Sequence, residues 1–327
     1  MGPLMIMSLE LLFKLYFIGA FVFFLSTYSQ RYRLFEKINL LAFITGAFFL
    51  LSFSSDIITF CSMALMATST FGFVLTRIRP SKQTITAISL SLLLILLYKV
   101  SPYASIMMLT LIAAIFCFRS NNRSIEAFII MFIFPVILYL SINYVTGNSV
   151  KVLFPVIIRI IGLAFIIVST MALLSGKLKD KRMVSYALFY TGHVIFAIGV
   201  RTPETIALAV ILTFILPLIY APDTTLISVF NLAMLPISPV FIIKVILLMI
   251  VMKGGMLVEA GTVIGCSLVI MGLSVSDLSN IMLQPFKKKM RVPVSLQTAS
   301  VAVLLLSIIY LDTVKNVIKI TIRGISG

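Results

Sequence analysis

Long apolar runs separated by short polar breaks recur along this chain from end to end. The runs are roughly 18 to 25 residues long, the length a helix needs to cross the hydrocarbon core of a bilayer. Read at that length, they predict about twelve spans, near 9–28, 38–53, 57–76, 84–100, 103–118, 125–144, 150–174, 183–200, 203–220, 225–252, 258–275 and 295–311. A transmembrane β-barrel would instead alternate apolar and polar residues. The expected fold is all-α, a polytopic transmembrane helix bundle. The run at 225–252 is too long for one straight span and contains Pro236 and Pro239. Proline removes a backbone donor and crowds the preceding turn, so one proline-broken helix is expected there.

Composition sharpens the class. Of the 327 residues, 61% are hydrophobic and 11% charged, against about a quarter charged in soluble domains. No polar stretch is long enough to fold alone, so a single membrane domain over 1–327 is expected. The net charge of +16 would point a soluble protein toward nucleic acid. Here the basic residues sit in short loops beside apolar runs, which indicates topology and anionic lipid headgroups rather than a nucleic-acid partner. Arg31, Arg33 and Lys37 follow the first run, and Arg77, Arg79 and Lys82 the third. Lys177, Lys179, Lys181 and Arg182 follow the seventh, and Lys287, Lys288, Lys289 and Arg291 the eleventh. Loops on the alternate face carry few basic residues, which places the odd loops in the cytoplasm. Cys61, Cys117 and Cys266 all lie in apolar runs without metal-ligand spacing. With no phosphate-binding glycine loop either, the chain is expected to hold no cofactor itself.

Ionisable residues inside spans are costly, so each is a candidate functional group. Lys244 is the sharpest, because the unbroken apolar run 245–251 follows it and Pro236 precedes it by eight residues. A lysine at that depth should face a bundle interior or a watered cavity, where it can gain and lose a proton. The plain alternative is a lysine paired with a buried carboxylate. Lys151 and Arg159 lie eight residues apart in VKVLFPVIIRI, about two turns, and so share a helix face. Lys151 is near enough to a span end to snorkel to headgroups. Arg159 keeps its charge, so it suits orienting a partner or a neighbouring helix better than relaying protons. His193 is the single histidine. An imidazole suits a proton relay, and equally a hydrogen-bonded core position.

Four segments, in order, resemble the antiporter-like membrane subunits shared by respiratory complex I, membrane-bound hydrogenases and Mrp-type sodium/proton antiporters. VKVLFPVIIRI is similar to that family's lysine-bearing helix, with Lys151 and Arg159 matching. The stretch ending KLKDKRMVSYA resembles its DIKRLLAYSS segment, with Lys181, Arg182 and Tyr186 as the loop match. MLPISPVFIIK resembles the broken helix GLPPLAGFFSK, with Pro236, Phe241 and Lys244 in register, and VIGCSLVIMGLSVSDLSNIML resembles the helix that follows. The resemblance divides the chain into divergent N-terminal helices at 1–149, an antiporter-like region at 150–312 and a tail at 313–327.

In that family the lysines form a hydrophilic axis for protons or sodium. The resemblance implies Lys151 as connecting and Lys244 as terminal lysine, with Arg159 on a matching position, while His193, two positions beyond the family's histidine, is an ion-path candidate on its own chemistry. It also implies other membrane subunits as partners, iron–sulfur clusters on partner subunits, and an energy-converting membrane (prokaryotic plasma membrane or mitochondrial inner membrane). The chain would be a non-catalytic subunit of a redox-driven translocase. The family's PFHxWLPDAH loop has no counterpart, and acidic residues inside spans are nearly missing. Two alternatives therefore stay open: a structural subunit that has lost transport, and a stand-alone small-solute transporter.

Overall fold

The computed structural model describes residues 3–28, 34–52, 56–77, 106, 108–110, 112–113, 123–146, 153–175, 182–219 and 239–282. Every regular element among them is helical. Five segments are long and apolar enough to cross a membrane, Leu34–Ser52, Ile57–Val74, Ile125–Val145, Phe154–Leu174 and Leu257–Ser274, which fits an integral membrane protein. The expected runs at 84–100 and 295–311, most of 103–118 and the first half of 225–252 lie outside the described residues. The described helices thus support a helical membrane bundle without fixing twelve as its span count. The chain packs as two compact units, Met1–Gly147 and Asn148–Gly327.

The first unit contains α1 (Pro3–Tyr28), α2 (Leu34–Ser52), α3 (Asp56–Arg77), α4 (Arg123–Phe128) and α5 (Phe134–Thr146). Lys37, expected in a loop, lies inside α2. Leu34 and Phe35 extend the apolar run backward, and Glu36 in the first turn complements the helix dipole. α2 and α3 run antiparallel in close contact. A Cβ on Gly46 would meet Met66 and the Ser62 carbonyl, and one on Gly72 would fall on Asn39.

Between α4 and α5 the chain winds as a π-helical segment, Ile129–Ile133. Pro135 explains the widening: a proline ring clashes with the carbonyl four residues back, here that of Met131, and supplies no amide to bond it. The Met131 carbonyl instead accepts a hydrogen bond from the Tyr16 hydroxyl of α1 at 2.9 Å. Phe24, Phe43, Phe73, Phe128 and Phe132 pack edge-on or stacked around the same element.

The second unit contains α6 (Leu153–Leu174), α7 (Arg182–Val200), α8 (Pro203–Ile219), α9 (Pro239–Lys253) and α10 (Leu257–Met282). Neighbours pack in the cyclic order α6, α7, α8, α9, α10 and back to α6. α6 and α7 approach most closely. A Cβ added at Gly162 would collide with the Phe196 backbone, one at Gly192 would meet Gly162 O and Ile166, and one at Gly199 would lie 2.5 Å from the Arg159 nitrogen. Positions rising along α7 meet positions falling along α6, so the pair is antiparallel. Small residues let backbones approach where apolar side chains gain nothing over lipid.

Two tight turns close the ring. Between α7 and α8, Arg201 adopts φ 62. Thr202 then caps α8: its hydroxyl accepts from the Thr205 amide, and the Thr205 hydroxyl accepts from the Thr202 amide, both at 3.2 Å. This is a capping box with threonine in the place of the usual glutamate. α9 ends in a Schellman turn, with Met256 N bonded to Val251 O, Gly255 N to Met252 O, and Gly255 at φ 75. Exposed positions along α6 (Ile160, Val168, Met171) and α9 (Ile242, Val245, Met249) are apolar at helical spacing. A water-facing helix surface would be polar there, so these apolar stripes fit a membrane setting.

Candidate functional site

Pro239 opens α9, at a first-turn position whose amide would be unpaired in any case. Lys244 follows more than one turn later. It is 4% exposed, with its Nζ 4.2 Å from the ring centroid of Phe189 and 4.3 Å from that of Tyr190. An ammonium over two aromatic faces is held by their quadrupoles, an attraction that strengthens as water is removed. Both rings belong to α7, so Lys244 reaches from α9 to a helix two places away in the ring.

His193 shares that aromatic neighbourhood. Its ring centroid lies 4.5 Å from that of Phe189 and 6.3 Å from that of Tyr190, and the residue is fully buried. Nδ1 lies 2.9 Å from the Phe189 carbonyl oxygen. A carbonyl can only accept, so Nδ1 carries the hydrogen and Nε2 presents a lone pair in the neutral ring. Nε2 has no hydrogen-bond partner among the described residues. In the neutral ring the nitrogen not engaged with the backbone is therefore the one that keeps its lone pair.

Arg159 sits apart from that cluster. From α6 its Nη2 approaches Glu259 Oε1 of α10 at 3.4 Å, and its Nη1 donates to Met256 Sδ at 2.7 Å. Glu259 lies in the first turn of α10, where a carboxylate is also stabilised by the helix dipole. The guanidinium thus ties α6 to the α9–α10 turn.

α7 begins at Arg182, so Arg182 and Tyr186 belong to the helix and not to the loop before it; Tyr186 is buried. Lys151, Lys181 and Pro236 lie outside the described residues. The structure brings together Lys244 and His193, through Phe189 and Tyr190, and keeps Arg159 with Glu259. The two rings were not singled out from the sequence. Their signal was there in FYTGH, where Phe189 stands one turn before His193. Among the described residues no group of three or more His, Cys, Asp or Glu is placed to hold a metal ion.

No family model and no curated protein matches the chain.

Proposed function

We propose that the chain is a membrane subunit of a redox-driven, ion-translocating complex, and that Lys244 carries protons, or couples them to sodium, through the helix ring. The observation that carries this reading is a lysine buried within an apolar helix beside a histidine whose free nitrogen is a proton acceptor. Intramembrane ionisable groups are expensive and mark proton relays and ion paths. Lysine can release its proton where arginine cannot, so Lys244 and His193 are the exchanging pair and Arg159 is the positioning cation. The resemblance to antiporter-like subunits of complex I, hydrogenases and Mrp antiporters supports the same assignment. It extends it to a path entering at Lys151, a broken helix at Pro236, iron–sulfur clusters on partner subunits and an energy-converting membrane.

The test is ion uptake coupled to electron transfer in the assembled complex. Lys244→Ala should abolish the coupling contributed by this subunit, while Lys244→Met should do so with the fold intact, since replacing a buried charge by an apolar chain of like size is often neutral or stabilising. Unchanged coupling in both variants refutes the proposal.

A second reading, a structural subunit without transport, is favoured by the seat of the ammonium itself. Two ring faces within 4.3 Å hold Lys244 in place without any path. On that reading Lys244→Met changes only stability.

A further inference from the structure

The α9–α10 turn carries a methionine whose sulfur is engaged by a cation. Met256 follows Gly254 and Gly255, and its main chain is fixed on both sides. Its amide donates to the Val251 carbonyl at 3.2 Å, and its carbonyl accepts from the Ala260 amide at 3.0 Å. Its Sδ accepts from Arg159 Nη1 of α6 at 2.7 Å. Among the described residues it is the one methionine whose sulfur accepts a hydrogen bond. A thioether is a weak acceptor, so this contact leaves most of the guanidinium's capacity unspent. Glu259 Oε1 stands 3.4 Å from Nη2, and Arg159 Nε has no partner among the described residues. The guanidinium thus keeps donors in reserve beside the sulfur.

The sulfur is also approachable. Lys253, Gly254 and Gly255 are exposed, and Met256 is only partly buried. Lys253 stands in the last turn of α9 and the next apolar span starts at Leu257, which puts the turn at a span end, where water is. A Cβ on Gly255 would meet nothing within 4 Å, and the nearest neighbour of one on Gly254 would be Met256 Cε. The two glycines therefore leave the thioether uncovered on its turn side. Met249 and Met252 are 54% and 48% exposed, yet they lie in the apolar stripe of α9, among groups that exclude water in a bilayer.

We propose that Met256 is a reversible oxidation site and that Arg159 holds its sulfoxide. Hydrogen peroxide is the oxidant. A sulfur lone pair attacks one peroxide oxygen, the S–O bond forms as the O–O bond breaks, and the departing hydroxide takes the proton left on the transferred oxygen and leaves as water. Sulfur gives up two electrons and the peroxide takes them. The product carries a strongly polar oxygen within reach of a guanidinium with spare donors, and hydrogen bonds to an ionised donor are about twice as strong as neutral ones. Sulfoxide formation in a packed apolar core is disruptive. At this turn it tightens the tie between α6 and the α9–α10 turn, because a weak acceptor is exchanged for a strong one. Methionine sulfoxide reductases return the thioether. None of this depends on the function proposed above.

Peptide mass spectrometry of the full chain in lipid nanodiscs, after graded exposure to hydrogen peroxide, tests the site. Met256 should gain one oxygen several-fold faster than Met249 and Met252, and methionine sulfoxide reductases should remove it. Gain at Met256 no faster than at the other two overturns the proposal, as does an oxygen that the reductases leave in place. Melting temperature tests the role of Arg159. Met256→Gln puts a carbonyl oxygen on a side chain of similar length, and should melt a few degrees above Met256→Leu, which offers no acceptor. With Arg159→Lys, which lacks the planar fork, that difference should vanish. A glutamine variant that melts no higher than the leucine variant overturns the assignment to Arg159, and so does a difference that survives Arg159→Lys. The glutamine–leucine comparison keeps Arg159 in place, so it decides the matter even where Arg159→Lys does not fold.

Discussion

Pro135 has no amide hydrogen, and its ring pushes on the carbonyl of Met131. The helix answers with one π-helical turn, and Tyr16 answers with its hydroxyl. Both groups are buried, so no bulk water can replace the bond. Tyr16→Phe should therefore lower unfolding stability by about 1–3 kcal/mol, the cost of stranding a buried acceptor, read as a drop in melting temperature. The proline stands in the sequence inside the apolar run at 125–144, which was expected as one plain span. The tyrosine's contact was not legible, because the two residues lie 115 positions apart and nothing in a tyrosine's neighbours says which carbonyl it will meet. Arg159 has the same history: its depth was legible, while Glu259 and Met256, which fix where it points, were not. Lys244 was legible as a buried amine. Its aromatic seat depended on how α7 turns against α9.

At the scale of elements, apolar period predicted well where a helix is bounded by its own chemistry. α6, α7 and α10 begin within three residues of the expected positions, because the flanking polar residues and caps are local. What the period could not give was which faces meet, since helices in lipid are apolar all round. In the α6–α7 pair the faces are chosen by glycine. Gly162→Ala would put a methyl group against the Phe196 backbone, which cannot swing aside as a side chain could. It should cost about 1–3 kcal/mol, the usual range for overpacking, and a detergent melt of the variant checks it. Arg201 offers the opposite change. It holds a left-handed conformation, φ 62, that disfavours a side chain by about 1–2 kcal/mol. Arg201→Gly should therefore leave the capping box intact and raise stability by up to about 1 kcal/mol, the gain reduced because glycine also loosens the unfolded chain. A fall in melting temperature would show that the Arg201 side chain itself stabilises the turn.

For the molecule as a whole, the described helices form two units, and the candidate relay lies within the second. Lys244 and His193 lie more than 50 residues apart in sequence and are joined by the ring order α6 to α10. If the chain works inside a redox-driven assembly, gentle detergent extraction should bring down partner subunits carrying iron–sulfur clusters, visible as their electron paramagnetic resonance signals. Recovery of this chain alone, with transport activity of its own, would favour a stand-alone transporter. The membrane class was readable from run length and charge sparsity alone, since both follow directly from the bilayer as solvent. The assembly was not, because the surfaces that would join it are as apolar as those that face lipid.

The backbone contact at Gly162, Gly192 and Gly199 also limits what can move. Rotation of α7 about its own axis would carry Phe196 off the bare patch at Gly162 and drive neighbouring side chains into the α6 main chain. α6 and α7 therefore behave as a stator. If the chain transports ions as proposed and a helix moves in doing so, the displacement would have to fall on α9, which is tethered to α10 through Gly254 and Gly255. In that case the amine travels while the rings and the imidazole stay still, and the switching element is the distance from Lys244 to a fixed aromatic wall.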